Sequence, residues 1–208
     1  MNVKEGLLTR FLYYDVRLAN LALGSSAYSF TEHYGDQFRP LWDRYLAEFK
    51  GQENIQLLEI GSFEGRSALW FLRNILTHST SSIICIDVFR NRMHELRFDH
   101  NMELSGLATK VTKIKARSQD TLKLMKNDIF NVVYIDGSHR AADVQADASL
   151  SWPLLKPGGV VILDDYLWKM EKPSEERPQM GIDNFLAKYG PDLDVLHKEY
   201  QVIVRKSK

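Results

Sequence analysis

From about residue 55 onward, short runs of apolar and β-branched residues alternate with stretches whose apolar positions recur every three or four residues. The short runs predict strands at Gln56–Ile60, Ser82–Asp87, Val111–Lys115, Asn131–Asp136 and Gly159–Asp164. The periodic stretches between them predict helices at Ser67–Leu76, Met93–Leu104, Gln119–Met125 and Ala141–Leu154. Strands that are apolar on both faces belong in a mainly parallel sheet covered by helices on each side. The expected architecture is therefore α/β and doubly wound. The chain closes differently. After a helix near Ile182–Tyr189, the strand patterns Asp194–Leu196 and Tyr200–Val204 are separated by a short turn, which predicts a C-terminal antiparallel hairpin at one sheet edge.

Residues 1–54 precede the first strand and carry helical patterns. Leu8, Phe11, Leu12, Leu18 and Leu21 to Leu23 have loose helical spacing, and Pro40–Phe49 forms a second span. This divides the chain into an N-terminal helical cap, 1–54, and a main domain, 55–208, folded as a single globular unit. The cap's apolar face packs on the domain or, alternatively, joins a homodimer; its polar face is not basic enough to favour a membrane surface. Tyr166–Gly181 reads as a polar loop with Pro173 and Pro178 and charges of both signs. Loops of that length are often active-site lids; a surface excursion is the other reading.

Composition narrows the function classes. The 208 residues suit one domain, and 27 basic residues balance 27 acidic ones. No global field then favours nucleic acid. No apolar run approaches the ~20 residues of a membrane span. Lys4, Glu5, Arg10, Asp15 and Arg17 break up the N-terminal segment, so a secretory signal is not expected. The single cysteine, Cys85, lies in an apolar run and is read as a buried hydrophobe in a reducing cytoplasm.

The candidate chemistry begins at Leu57-Leu58-Glu59-Ile60-Gly61-Ser62-Phe63-Glu64-Gly65-Arg66-Ser67, a strand running through a glycine turn into a helix. Such turns bring backbone N–H groups up to nucleotide-like ligands. Phe63 fills the second glycine position of G-x-G-x-x-G, which argues against a dinucleotide, and a P-loop pattern is missing. Asp87, ending the second strand, is placed to accept ribose hydroxyls or to cap a turn. Ser118 either caps the following helix or offers its hydroxyl to an adenine edge. Asp136, Asp164 and Asp165 end neighbouring strands; three clustered carboxylates call for a cation or raised pKa values, and all-oxygen donors suit Mg²⁺ or Ca²⁺. The competing reading makes Asp136 a helix cap and leaves the other two in a solvated turn. His139, three residues beyond Asp136, is either a general base or a structural side chain. A G-x-S-x-G elbow and cysteine-based metal spacings are missing, which removes support for hydrolase chemistry.

Together these residues resemble the class I S-adenosylmethionine-dependent methyltransferases, whose fold is a Rossmann-like doubly wound sheet. More narrowly, residues 55–166 are similar to bacterial small-molecule O-methyltransferases with a D-G-x-H turn and a K-P-G-G-x-x-x-x-D-D-Y stretch. Here these are Asp136-Gly137-Ser138-His139 and Lys156-Pro157-Gly158-Gly159 through Asp164-Asp165-Tyr166. The resemblance implies that Glu59, Gly61, Ser62, Gly65 and Asp136 contact S-adenosyl-L-methionine, with Asp87 on its ribose and Ser118 and Gln119 on its adenine. It implies Mg²⁺ on Asp136, Asp164 and Asp165, and catalysis by Asp136 and His139. Catechol O-methyltransferases place a lysine where His139 stands, which is a departure. The implied activity is methyl transfer to the oxygen of a small hydroxylated molecule in the cytoplasm, with no nucleic acid partner and no membrane span. A nicotinamide-dependent oxidoreductase or epimerase would need the G-x-G-x-x-G that this chain lacks. A non-catalytic methyltransferase-like binding protein would tolerate loss of the acids and His139.

Overall fold

The structure is a computed structural model and describes residues 27–207. The helical pattern from Leu8 to Leu23 lies outside the described residues. Seven strands form one sheet: β1 (Gln56–Ile60), β2 (Ser82–Asp87), β3 (Val111–Lys115), β4 (Phe130–Ile135), β5 (Leu155–Leu163), β6 (Leu193–Lys198) and β7 (Val202–Lys206). Their order is β3-β2-β1-β4-β5-β7-β6. β1 to β5 are parallel, whereas β7 runs antiparallel to both β5 and β6. The expected terminal hairpin is present, and its second strand is the inner one.

The helices are α1 (Arg39–Tyr45), α2 (Arg66–Asn74), α3 (Arg92–Leu104), α4 (Ser118–Leu122), α5 (Ala141–Ser151) and α6 (Pro178–Tyr189). Side chains alternate across each strand and so build two cores. Leu57, Val132, Tyr134 and Ile162 face a core with Trp42 of α1, Phe71 of α2 and Phe98 of α3. Leu58, Ile60, Val133, Ile135 and Val161 face the other, with Val144 of α5 and Phe185 of α6. Burial on both faces explains why these strands read as continuous apolar runs.

Two expectations change. The span Pro40–Phe49 is a short α-helix ending at Tyr45, followed by a 3₁₀ turn at Ala47–Phe49. The loop expected over Tyr166–Gly181 ends early, because Pro178 starts α6. Proline is suited to a first helical position, where its missing N–H has no partner to lose. Gly181, which reads as a loop residue, lies where α6 presses on α5: a Cβ there would sit 2.1 Å from the Ala141 carbonyl oxygen.

Strand order reverses between β1 and β4, so a crevice opens where their carboxyl ends diverge. The Asp136 N–H donates to the Ile60 carbonyl (2.8 Å) and the Gly61 N–H to the Ile86 carbonyl (2.9 Å), pinning the first turn to both neighbours.

Candidate functional site

A cleft of about 1240 Å³ lies over these strand ends, walled by the β1 turn, Asp87, Ser118, Gln119, the β4 turn and the segment after β5. The segment before α1 supplies the remaining wall, including Phe30, Tyr34 and Phe38. That segment is latched over the β1 turn by Glu64, whose carboxylate accepts from the N–H (2.6 Å) and hydroxyl (2.9 Å) of Thr31 and from Arg97 (3.2 Å).

In the β1 turn the two glycines serve neighbours within the chain. Gly61 has φ +89°, and a Cβ would fall 2.0 Å from the Asp136 carbonyl oxygen. Gly65 has φ +80°, and a Cβ would meet Met102 of α3 at 2.6 Å. Gly65 therefore packs against α3 and is not part of the cleft wall. Glu59 also does not line the cleft. It is fully buried behind the turn, where the Ser67 hydroxyl donates to it at 2.6 Å. Burial pushes its carboxyl above the usual range, with Ser67 partly offsetting the effect. Ser62, by contrast, lines the cleft, and its buried hydroxyl lies against Glu59 and Cys85 without a well-aligned hydrogen bond.

The Asp87 carboxylate accepts from the N–H of Phe63 (2.9 Å) and of Phe89 (2.7 Å), one on each oxygen, so a lone pair on each remains for a ligand. It acts as a turn cap and still faces the cleft. Ser118 is not the N-cap of α4, a position held by Arg117. Its hydroxyl donates to Asp147 at 2.7 Å, and the Gln119 amide donates to Asp143 at 3.3 Å.

At the other end, ligand atoms of Asp136, His139 and Asp165 all lie within 4.8 Å of one another. Nε2 of His139 is 2.6 Å from Oδ2 of Asp165, and the Tyr200 hydroxyl donates to the other oxygen at 2.9 Å. Asp164 stands one layer behind this group. Its carboxylate accepts from Tyr134 (2.5 Å), Gln201 (2.8 Å) and the Asp165 N–H (2.7 Å). The geometry thus groups His139, rather than Asp164, with Asp136 and Asp165. Burial pushes Asp164 up to about 6 despite the Tyr134 bond. Burial, with the charges of Asp164 and Asp165, lifts Asp136 well above the usual carboxylate range. One carboxylate of such a group holds a proton near neutrality unless a cation joins it.

Tyr166 is buried, and its hydroxyl donates to Asp183 at 2.9 Å, so it packs the fold and does not line the cleft. Trp168 does line it, stacked on His139 with ring centres 4.5 Å apart. Sequence reasoning missed Tyr134 and Gln201. Tyr134 shares a strand face with Asp136, two residues on, which is a usable signal. Gln201 lies in the β6–β7 turn, where no local pattern marks it.

A sequence profile described as a methyltransferase domain matches residues 58–166. That is just over half of the chain, and the chain belongs to this methyltransferase family. Its sheet order and terminal hairpin are those of the class I S-adenosylmethionine-dependent methyltransferase fold. No curated protein matches the sequence significantly. Among solved structures, a protein from Corynebacterium glutamicum is 18% identical with a TM-score of 0.66, over 100% of this chain and 98% of that one. An O-methyltransferase from Bacillus cereus, in complex with S-adenosylhomocysteine, is 18% identical with a TM-score of 0.65, over 95% of this chain and 90% of that one. The mycinamycin-pathway methyltransferase MycE, in complex with Mg, S-adenosylhomocysteine and mycinamycin VI, is 18% identical with a TM-score of 0.62, over 93% of this chain and 55% of that one. No helix among the described residues is long and apolar enough to cross a membrane.

Proposed function

We propose that this chain is an S-adenosylmethionine-dependent O-methyltransferase that acts on a small hydroxylated molecule with help from a divalent cation. The observation that carries the reading is the convergence of Asp136, His139 and Asp165 in the same cleft as the β1 turn and Asp87. The Ser62 hydroxyl in the cleft lining and the spare lone pairs of Asp87 suit a polar cofactor lying across the turn, with Ser118 and Gln119 at its far end. Asp136 and Asp165 suit Mg²⁺, which binds through one or two carboxylates and keeps several waters. An imidazole is a poorer partner for that ion, which leaves His139 for the proton.

When bound, S-adenosylmethionine supplies a methyl group activated on a positively charged sulfur, and Mg²⁺ supplies Lewis acidity that lowers the acceptor hydroxyl's pKa. The protein's task is alignment, which contributes roughly 7–11 kcal/mol in favourable cases. With Nε2 of His139 bonded to Asp165, Nδ1 is the ring atom free to take the acceptor's proton. Asp165 fixes the ring orientation, as a third group does for a catalytic base generally. The free, fully buried Cys85 suits a reducing compartment such as the cytoplasm. Residues 1–54 are proposed as a cap on the catalytic domain, with a homodimer contact through them as the alternative.

Calorimetry with S-adenosylmethionine, S-adenosylhomocysteine and NAD tests the cofactor, with micromolar binding expected for the first two. Binding of NAD alone would overturn the reading. Release of S-adenosylhomocysteine from a panel of hydroxylated sugars and catechols, with and without Mg²⁺, then tests the reaction.

A further inference from the structure

The segment after β5 places two lysines in the cleft wall beside His139. Trp168 is already occupied as a support: the His139 imidazole stacks on it, and Lys169 Nζ (4.5 Å) and Lys172 Nζ (5.3 Å) lie over the same ring. An indole engaged in this way does not offer its faces to an acceptor. It holds two ammonium groups near the reacting atoms instead. The backbone that presents them is left-handed at Asp165 (φ 62°), where Asp is tolerated, and at Lys169 (φ 45°), where a long side chain is uncommon.

Neither ammonium has a carboxylate partner among the described residues, although Glu171, Glu175 and Glu176 lie close by in sequence. The acids of the site do not claim the lysines either. Asp164 is bonded to Tyr134 and Gln201, and Asp165 to His139 and Tyr200. Two cations held in a cleft wall without a partner suit an anionic group on the molecule that enters. Resting on the methyltransferase reading above, we propose that Lys169 and Lys172 receive a carboxylate of the acceptor. The favoured substrate class is then a hydroxylated carboxylic acid, oriented with its hydroxyl toward Asp136 and His139.

Matched probes test this: 3,4-dihydroxybenzoate against catechol, and methyl glucuronoside against methyl glucoside, titrated into protein loaded with S-adenosylhomocysteine and Mg²⁺. The carboxylate member of at least one pair is expected to bind about tenfold more tightly, the size of a partly exposed charge-assisted contact. The double variant Lys169→Gln/Lys172→Gln is expected to erase that ratio, and Lys169→Glu/Lys172→Glu to favour dopamine over 3,4-dihydroxybenzoate. A wild-type ratio near one in both pairs, including no detectable binding of any probe, overturns the proposal. So does a ratio that survives the double variant. Tighter Mg²⁺ binding by that variant at an unchanged ratio would mean that the lysines only balance the acids. Affinity for S-adenosylhomocysteine, read on the same samples, reports the cofactor separately. If it is lost in the wild type the cofactor reading fails, and the carboxylate ratio is read from the same titrations without it.

Discussion

At the β1–β2 end of the cleft, polar groups are fixed by backbone groups within one βαβ unit. Asp87 takes the N–H groups of Phe63 and Phe89, and the Gly61 N–H is held by Ile86. At the β4–β5 end, three carboxylates crowd together and are fixed by side chains from distant segments. Tyr134 and Gln201 hold Asp164; Tyr200 and His139 hold Asp165. The first end has its shape fixed by backbone hydrogen bonds. The second stores electrostatic repulsion that a cation, a proton or a substrate relieves. Shape is specified at one end and charge at the other, and different substitutions should break each.

Gly61 joins the two ends, so Gly61→Ala should have the largest effect. The added Cβ would fall 2.0 Å from the Asp136 carbonyl oxygen, and φ +89° already disfavours any side chain. A loss of about 4 kcal/mol or failure to fold is expected, as for other clashes that only backbone movement relieves. Urea denaturation measures it; a midpoint equal to that of the wild type would mean that the two turns are not locked together.

Substitutions confined to the charged end should separate function from stability. Asp136→Ala and His139→Ala should each lower methyl transfer by about 10²–10³-fold. Affinity for S-adenosylhomocysteine should stay within a few-fold in His139→Ala, because the β1–β2 end is untouched. Asp136→Ala should also unfold at the same or higher urea concentration, since it removes a carboxylate lifted well above its usual range by burial and its neighbours. Equal loss of cofactor binding and turnover would show that the two ends are not separable.

Tyr134→Phe should cost less, about 1–3 kcal/mol, by leaving the buried Asp164 carboxylate short of a donor. Its effect should be mainly on stability and on Mg²⁺ affinity, measured by thermal unfolding with and without the ion. A variant as stable as the wild type would mean that Gln201 and the Asp165 N–H suffice.

The same contrast governs what the sequence makes legible. β1 and β2 have the expected bounds, because a run buried between two layers is recorded directly in residue type; the half-exposed edge strand β3 was marked instead by Val111 and Ile114 among polar residues. The β1 turn and Asp87 were legible because their contacts lie within about one βαβ unit. Yet the reason for Gly61 and Gly65 was not, since what fills the space beside them is Asp136 and Met102. At the charged end, residue types pointed to Asp136, Asp164, Asp165 and His139 but not to their division of labour. That division depends on Gln201, which donates to Asp164 from 37 positions away and accepts from the Trp42 indole N–H 159 positions away. No local periodicity carries such information. The early start of α6 was hidden for a different reason: Pro178 and Gly181 are loop residues by propensity, and tertiary packing on α5 overrides that preference.

The smallest and most discriminating effect should come from Asp147, an acid at the Ser118 end of the cleft that burial has made costly. It is buried on α5 and accepts from Ser118, with Asp143 raising and Arg117 lowering its affinity for a proton. Burial dominates and pushes it up to about 6 from an ordinary value of 3.8. Because the folded state holds the proton more tightly than the unfolded state, this residue destabilises the protein as pH rises from about 4 to about 6, and the full cost persists above that. Asp147→Asn keeps an oxygen for the Ser118 hydroxyl and removes the charge. It should therefore stabilise the protein at pH 8, by about 1–2 kcal/mol after the weakened hydrogen bond is allowed for, and leave stability at pH 4 nearly unchanged. Urea titrations at the two pH values measure the difference. A variant destabilised equally at both would mean that Ser118 depends on the carboxylate's charge, and the Ser118 end of the cleft would then share the electrostatic character of the β4–β5 end.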